Sequence, residues 1–174
     1  MENWFIPYHV SELPLAQKVL ILAPHPDDEV FGCGGAAALL RQRGASVDVV
    51  VLTDGAASAA AALRQAITQT RQSETNAALA VLGVPPAQFW ALADRSLAAE
   101  TSLAQKITAL LSGVDLVFAP SPTEAHPDHA ATGRAVLSAV HGLVQRSGKA
   151  PGLLFYEVGV PLLPNFMLDI SAVW

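Results

Sequence analysis

The apolar positions of this chain gather into five short runs separated by longer stretches of mixed character. KVLILAP at 18–24 is apolar almost throughout and is stopped by a proline. VDVVVLTDG at 47–55 is β-branched and closes on Asp-Gly. QFWAL at 88–92, VDLVFAP at 114–120 and LLFYEVGV at 153–160 complete the set. Runs that are apolar throughout, rather than alternating, predict strands buried on both faces, as in parallel sheets. Between them, AAALLRQRG reads as a helix ending at Gly44. Residues 60–82 read as a second helix, stopped by Gly83 and Pro85-Pro86, and 97–112 and 129–147 as two more. HPDDEVFGCGG at 25–35 and SPTEAHPD at 121–128 read as loops, and 1–17 as an irregular lead-in.

Strand and helix alternate, which predicts an α/β fold with a mostly parallel sheet and helices on both faces. Right-handed crossovers make the Rossmann-like order 3-2-1-4-5 the natural arrangement. Strands 1 and 4 are then neighbours, and the chain reverses direction between them. Ligands bind outside the carboxyl ends of strands at such a point. The 174 residues suit one domain, 1–174.

Composition narrows the functions. Hydrophobic residues make up 52% and charged residues 14%, a globular balance. The formal net charge is -5 and no basic cluster occurs, which argues against nucleic acid as a partner. Charges or prolines interrupt every apolar stretch before the roughly 18 residues a membrane helix needs, so no transmembrane segment is expected. The first residues, MENWFIPYHV, lack a basic region followed by an apolar core, so no signal peptide is expected. Cys33 stands alone, so there is no internal disulfide, consistent with a cytoplasmic location.

Two loops carry the chemistry. His25, Asp27, Asp28 and Glu29 follow strand 1; His126, Asp128 and His129 follow strand 4. Catalytic zinc takes three protein ligands, often two His and one carboxylate, and keeps a position for water. His25 and Asp28, three apart at the mouth of a helix, and His129 are the expected ligands. Asp27 is the expected general base. His126 is suited to stabilise an oxyanion or protonate a leaving amine, and Asp128 to fix a histidine tautomer. Either loop alone also reads as a turn with a helix cap. Both together, at adjoining strand ends, crowd histidines and carboxylates in a way that calls for a cation.

The run APHPDDEVFGCGG, with HPDH at 126–129, resembles the LmbE-like, or PIG-L, deacetylases. The resemblance implies a Rossmann-like fold and zinc-dependent removal of acetyl from an N-acetylglucosaminyl conjugate. It implies zinc on His25, Asp28 and His129, Asp27 as base and His126 assisting the transition state. It extends to Asp54 in LTDG, to Arg71 in a helix patterned Arg71, Glu74, Ala78, Leu82, Gly83, and to Asp94 in ALADRSL. It implies substrate contacts for these three, with Arg95 standing where the family often has glycine. An ion pair on a solvated helix face is the competing account of Arg71, and a helix cap that of Asp94. The family usually continues some tens of residues beyond the fifth strand, which leaves room for a further domain beyond Trp174 or a homo-oligomer. Ferrous iron is an alternative metal, and a non-haem iron oxygenase an alternative function, since two His and one carboxylate also make the triad of such enzymes. A nucleotide-binding module is a further alternative, although G-x-G-G at 32–35 departs from the dinucleotide pattern. These glycines read instead as permitting close helix–strand packing.

Overall fold

The computed structural model describes residues 9–173; residues 1–8 of the lead-in, and Trp174, lie outside the described residues. Five strands form one sheet: β1 (Lys18–Ala23), β2 (Ser46–Thr53), β3 (Gln88–Leu92), β4 (Leu116–Pro120) and β5 (Gly152–Tyr156). Their order is β3-β2-β1-β4-β5, as the crossovers predict. Every pairing is parallel, with Val19 opposite Leu116 and Ile21 opposite Phe118 along the central pair.

Among the described residues four α-helices flank the sheet: α1 (Asp28–Gln42), α2 (Arg64–Val81), α3 (Leu103–Leu110) and α4 (Pro127–Ser147). Side chains of β1 alternate between two cores. Val19 and Ile21 pack on one face with Ala37 and Leu40 of α1 and Leu79 of α2. Leu20 and Leu22 pack on the other with Ile107 of α3 and Val136 of α4. β1 is thus apolar throughout because both of its faces are buried. Fully burying one such side chain contributes about 1.5–3 kcal/mol. Phe166, Leu168 and Ile170 of the tail pack on the α1 side, and Met167 exchanges hydrogen bonds with Ser11 of the lead-in. Among the described residues, no helix is long and apolar enough to cross a membrane.

The elements depart from the expected bounds in two informative places. The loop expected over 25–35 is helical from Asp28 onward, glycines included, with one non-helical residue at Cys33. Asp28 and Glu29 in the first turn suit the positive end of the helix dipole. The glycines serve close packing: a Cβ on Gly32 would sit within the Tyr156 ring of β5, and one on Gly35 would lie 2.7 Å from Ile170. The fifth strand, expected to reach 160, ends at Tyr156, because the amides of Val158, Gly159 and Val160 bond to the Glu124 carboxylate.

Candidate metal centre and catalytic site

The loops after β1 and β4 meet because those strands adjoin. Pro24–Asp27 turns the chain from β1 into α1, and His126 caps α4, its Nδ1 accepting the Asp128 N–H at 3.2 Å. Three donor atoms face one another here. Oδ2 of Asp28 lies 3.2 Å from Nδ1 of His25 and 3.1 Å from Nε2 of His129. The two ring nitrogens lie 3.1 Å apart. A tetrahedral zinc ion with bonds of about 2.0–2.2 Å spaces its ligands by roughly 3.3–3.5 Å. The triangle matches that within a few tenths of an ångström. Nitrogens of His25, His126 and His129 also lie within 4.8 Å of one another, a looser grouping.

Proton placement favours the same hub. Nε2 of His25 lies 3.2 Å from Asp94 Oδ1 and 3.3 Å from Asp128 Oδ2. A neutral ring that donates there presents a lone pair at Nδ1. Burial disfavours the His25 imidazolium, but the hydrogen bond and charge of Asp28, with Asp94 and Asp128, outweigh it and raise the ring above its ordinary pKa. Burial likewise opposes the charged form of Asp28, yet the two histidines hold that carboxyl well below the usual range. A deprotonated carboxylate beside two imidazoles is a donor set that fits zinc or ferrous iron.

Asp27 stands at the rim. Burial and the charge of Asp28 raise its carboxyl, and Arg71 partly offsets them. Its backbone lies in the left-handed region at φ 115, a costly conformation for a residue with a Cβ. Glu29 secures it by accepting the Asp27 N–H at 3.0 Å. The ring of His126 lies 4.6 Å from that of His25, nearly perpendicular to it, and 5.0 Å from that of His129. Burial, then the neighbouring His25 and His129, lower the His126 imidazolium.

The remaining candidates are turned toward the protein. Arg71 donates to the carbonyls of Gly55 at 2.6 Å and Pro26 at 2.7 Å, and to Asp27 Oδ2 at 3.0 Å. It therefore clamps the loops after β1 and β2 and touches the proposed base. Asp54 Oδ1 accepts the N–H groups of Ala56 and Asp94, each at 3.1 Å, while Asp94 Oδ2 accepts that of Ala57 at 3.0 Å. Asp54 and Asp94 thus close the loops after β2 and β3 against each other. Arg95, standing in for glycine, adopts φ 67, so the loop keeps a glycine-like shape. Its N–H donates to Asp128 Oδ2 at 2.6 Å.

Sequence reasoning gave no role to two buried acids, Glu29 and Glu124. Their only signal is position: Glu29 directly follows HPDD, and Glu124 lies two residues before HPDH.

Comparison with known proteins agrees with these loops. The PIG-L profile, described as GlcNAc-PI de-N-acetylase, matches residues 20–140. A probable N-acetyl-alpha-D-glucosaminyl L-malate deacetylase 2 of Bacillus cereus is 32% identical over 137 residues, covering 72% of this chain and 62% of that protein. The diacetylchitobiose deacetylase of Thermococcus kodakarensis is 28% identical over 184 residues, covering 90% of this chain and 65% of that protein. The solved N,N'-diacetylchitobiose deacetylase of Pyrococcus horikoshii, in complex with an inhibitor, matches with a TM-score of 0.78 at 29% identity, covering 91% of this chain and 66% of that one. The chain spans less than two thirds of the length of these curated relatives. With its HPDD and HPDH loops joined at one sheet edge and the profile spanning both, the chain belongs to the PIG-L, or LmbE-like, family.

Proposed function

We propose that this chain hydrolyses the N-acetyl group of an amino-sugar conjugate of the N-acetylglucosamine type, with a zinc ion held by His25, Asp28 and His129. The observation that carries the reading is the triangle of donor atoms, 3.1–3.2 Å on each side, drawn from two distant loops. The deacetylase names of the relatives support the substrate class. A single buried thiol suits a reducing compartment, and we assign the enzyme to the cytoplasm.

Bound at this hub, zinc supplies Lewis acidity: it lowers the pKa of a water to roughly 7 and polarises a carbonyl oxygen. The rest falls to the protein. Asp27, with Oδ2 engaged by Arg71, takes the proton of the attacking water at Oδ1. A carboxyl raised by burial is a better base than one in open water. The water oxygen bonds to the amide carbon as the carbonyl electron pair moves onto its oxygen. His126, whose Nδ1 accepts the Asp128 N–H, carries its proton on Nε2 and offers it as a hydrogen bond to that developing oxyanion, keeping the proton. The C–N bond then breaks as Asp27 passes its proton to the leaving nitrogen. Acetate and the free amino sugar result. Asp128 and Asp94 keep the His25 ring in place throughout.

Metal content of the purified chain, measured beside a His129→Ala variant, tests the site. About one equivalent of zinc or iron in the parent, lost in the variant, is expected, followed by acetate release from N-acetylglucosamine conjugates. Metal bound equally by both proteins would sink the ligand assignment. A loaded parent that released no acetate from any conjugate would sink the reaction.

A further inference from the structure

His129 uses only one ring nitrogen in the donor triangle. Nε2 faces Asp28 and His25, while Nδ1 is buried with no hydrogen-bond partner among the described residues. A neutral imidazole that offers Nε2 to a cation carries its proton on Nδ1, and a buried N–H needs an acceptor. On the other ligand ring that need is met: the outer nitrogen of His25 faces Asp128. The carboxylate Oε2 of Glu124 lies 3.8 Å from Nδ1 of His129.

The Glu124 side chain has 0% of its surface exposed. A buried carboxylate requires compensation, and three consecutive amides provide it. Val158 donates to Oε1 at 2.7 Å, Gly159 to both oxygens at 3.3 and 3.1 Å, and Val160 to Oε2 at 3.2 Å. A Cβ on Gly159 would lie 3.3 Å from Oε2, so the turn after β5 is drawn tightly against this acid.

We propose that Glu124 is a positioning residue of the metal centre: it accepts the Nδ1 proton of His129, fixes the tautomer that frees Nε2, and ties the 158–160 turn to that ligand. The inference rests on the reading of His129 as a ligand. The present gap exceeds a hydrogen bond by about 0.8 Å. A cation on Nε2 makes the Nδ1 proton more acidic, which strengthens its pull toward the carboxylate.

Glu124→Gln keeps the side-chain length and one acceptor oxygen. Glu157→Gln serves as control, since Glu157 tethers the same segment through the Leu162 N–H at 2.6 Å from an exposed position. Zinc affinity would be measured by chelator competition, alongside the visible spectrum of the cobalt-loaded proteins. Expected for E124Q is a roughly 10–100-fold loss of zinc affinity and a changed cobalt spectrum; E157Q should stay within about twofold of the parent. Parent-like affinity in E124Q, or an equal loss in E157Q, overturns the proposal. The parent alone gives a second readout, independent of whether the variant folds. In the zinc-loaded, 15N-labelled protein His129 should carry a slowly exchanging, downfield-shifted proton on Nδ1; a fast-exchanging, unshifted one overturns the proposal. A parent whose zinc binding is indifferent to His129→Ala would remove the ligand assignment and this inference together. A parent that needs His129 but tolerates E124Q would remove this inference alone.

Discussion

Oδ2 of Asp128 lies 3.3 Å from Nε2 of His25, a contact between residues 103 positions apart. The same carboxylate accepts the N–H groups of Arg95 at 2.6 Å and Leu97 at 3.0 Å, so a backbone clamp holds it against the ring. Asp128→Asn keeps an acceptor for the clamp but removes the charge. Zinc affinity should fall roughly 10–100-fold, read by chelator competition. An unchanged affinity would assign the task to Asp94, which lies 3.2 Å from the same nitrogen.

Asp27 supplies no atom to the donor triangle. Asp27→Asn should therefore hold metal as the parent does while turnover drops roughly 10²–10⁴-fold. Metal analysis and acetate release on the same preparation separate the two effects. Full turnover in this variant would remove Asp27 from the role of base.

Arg95 is exposed, yet its backbone sits at φ 67. A left-handed conformation costs a residue with a Cβ roughly 1–2 kcal/mol, whereas glycine adopts it freely but loses more entropy on folding. Arg95→Gly should raise unfolding stability by about 1 kcal/mol, measured by denaturant titration. A lowered midpoint would show that the arginine side chain contributes more than its backbone strain removes.

Gly32 lies where α1 crosses β5. An added Cβ would stand 2.8 Å from Cγ of Tyr156, and that ring is pinned by its hydroxyl donating to the Leu22 carbonyl at 2.7 Å. Gly32→Ala should cost about 1–3 kcal/mol, as overpacking typically does. Differential unfolding against the parent measures it. A neutral result would mean that Tyr156 can leave its place without loss.

The sheet was legible because apolar runs alternate with helical stretches, and right-handed crossovers favour the order that sets β1 beside β4. The meeting of His25, Asp28 and His129 was legible for the same reason: a motif at a strand end is carried wherever the strand goes. The start of α1 and the end of β5 were not, because Gly32 answers to Tyr156 and the 158–160 amides answer to Glu124, partners far away in sequence. The substrate contacts expected of Arg71, Asp54 and Asp94 depend on which way side chains turn. Arg71 and Asp54 bond to neighbouring loops and Asp94 also faces His25, and no local pattern announces that. Glu124 was overlooked, and Glu29 given no role, since acids are normally exposed; only the folded chain reveals the three amides that compensate Glu124.

β1 and β4 form the seam at which the two halves of the sheet meet. His25 and Asp28 belong to the first half, and His129, at the start of α4, to the second. A chain that has built only the first half possesses at most two of the three proposed donors; Asp94 reaches His25 from within that half, whereas Asp128 comes from the other side. On the proposed ligand set, the complete donor triangle therefore exists only when both halves are in place. An ion held by that set would rivet the two halves together.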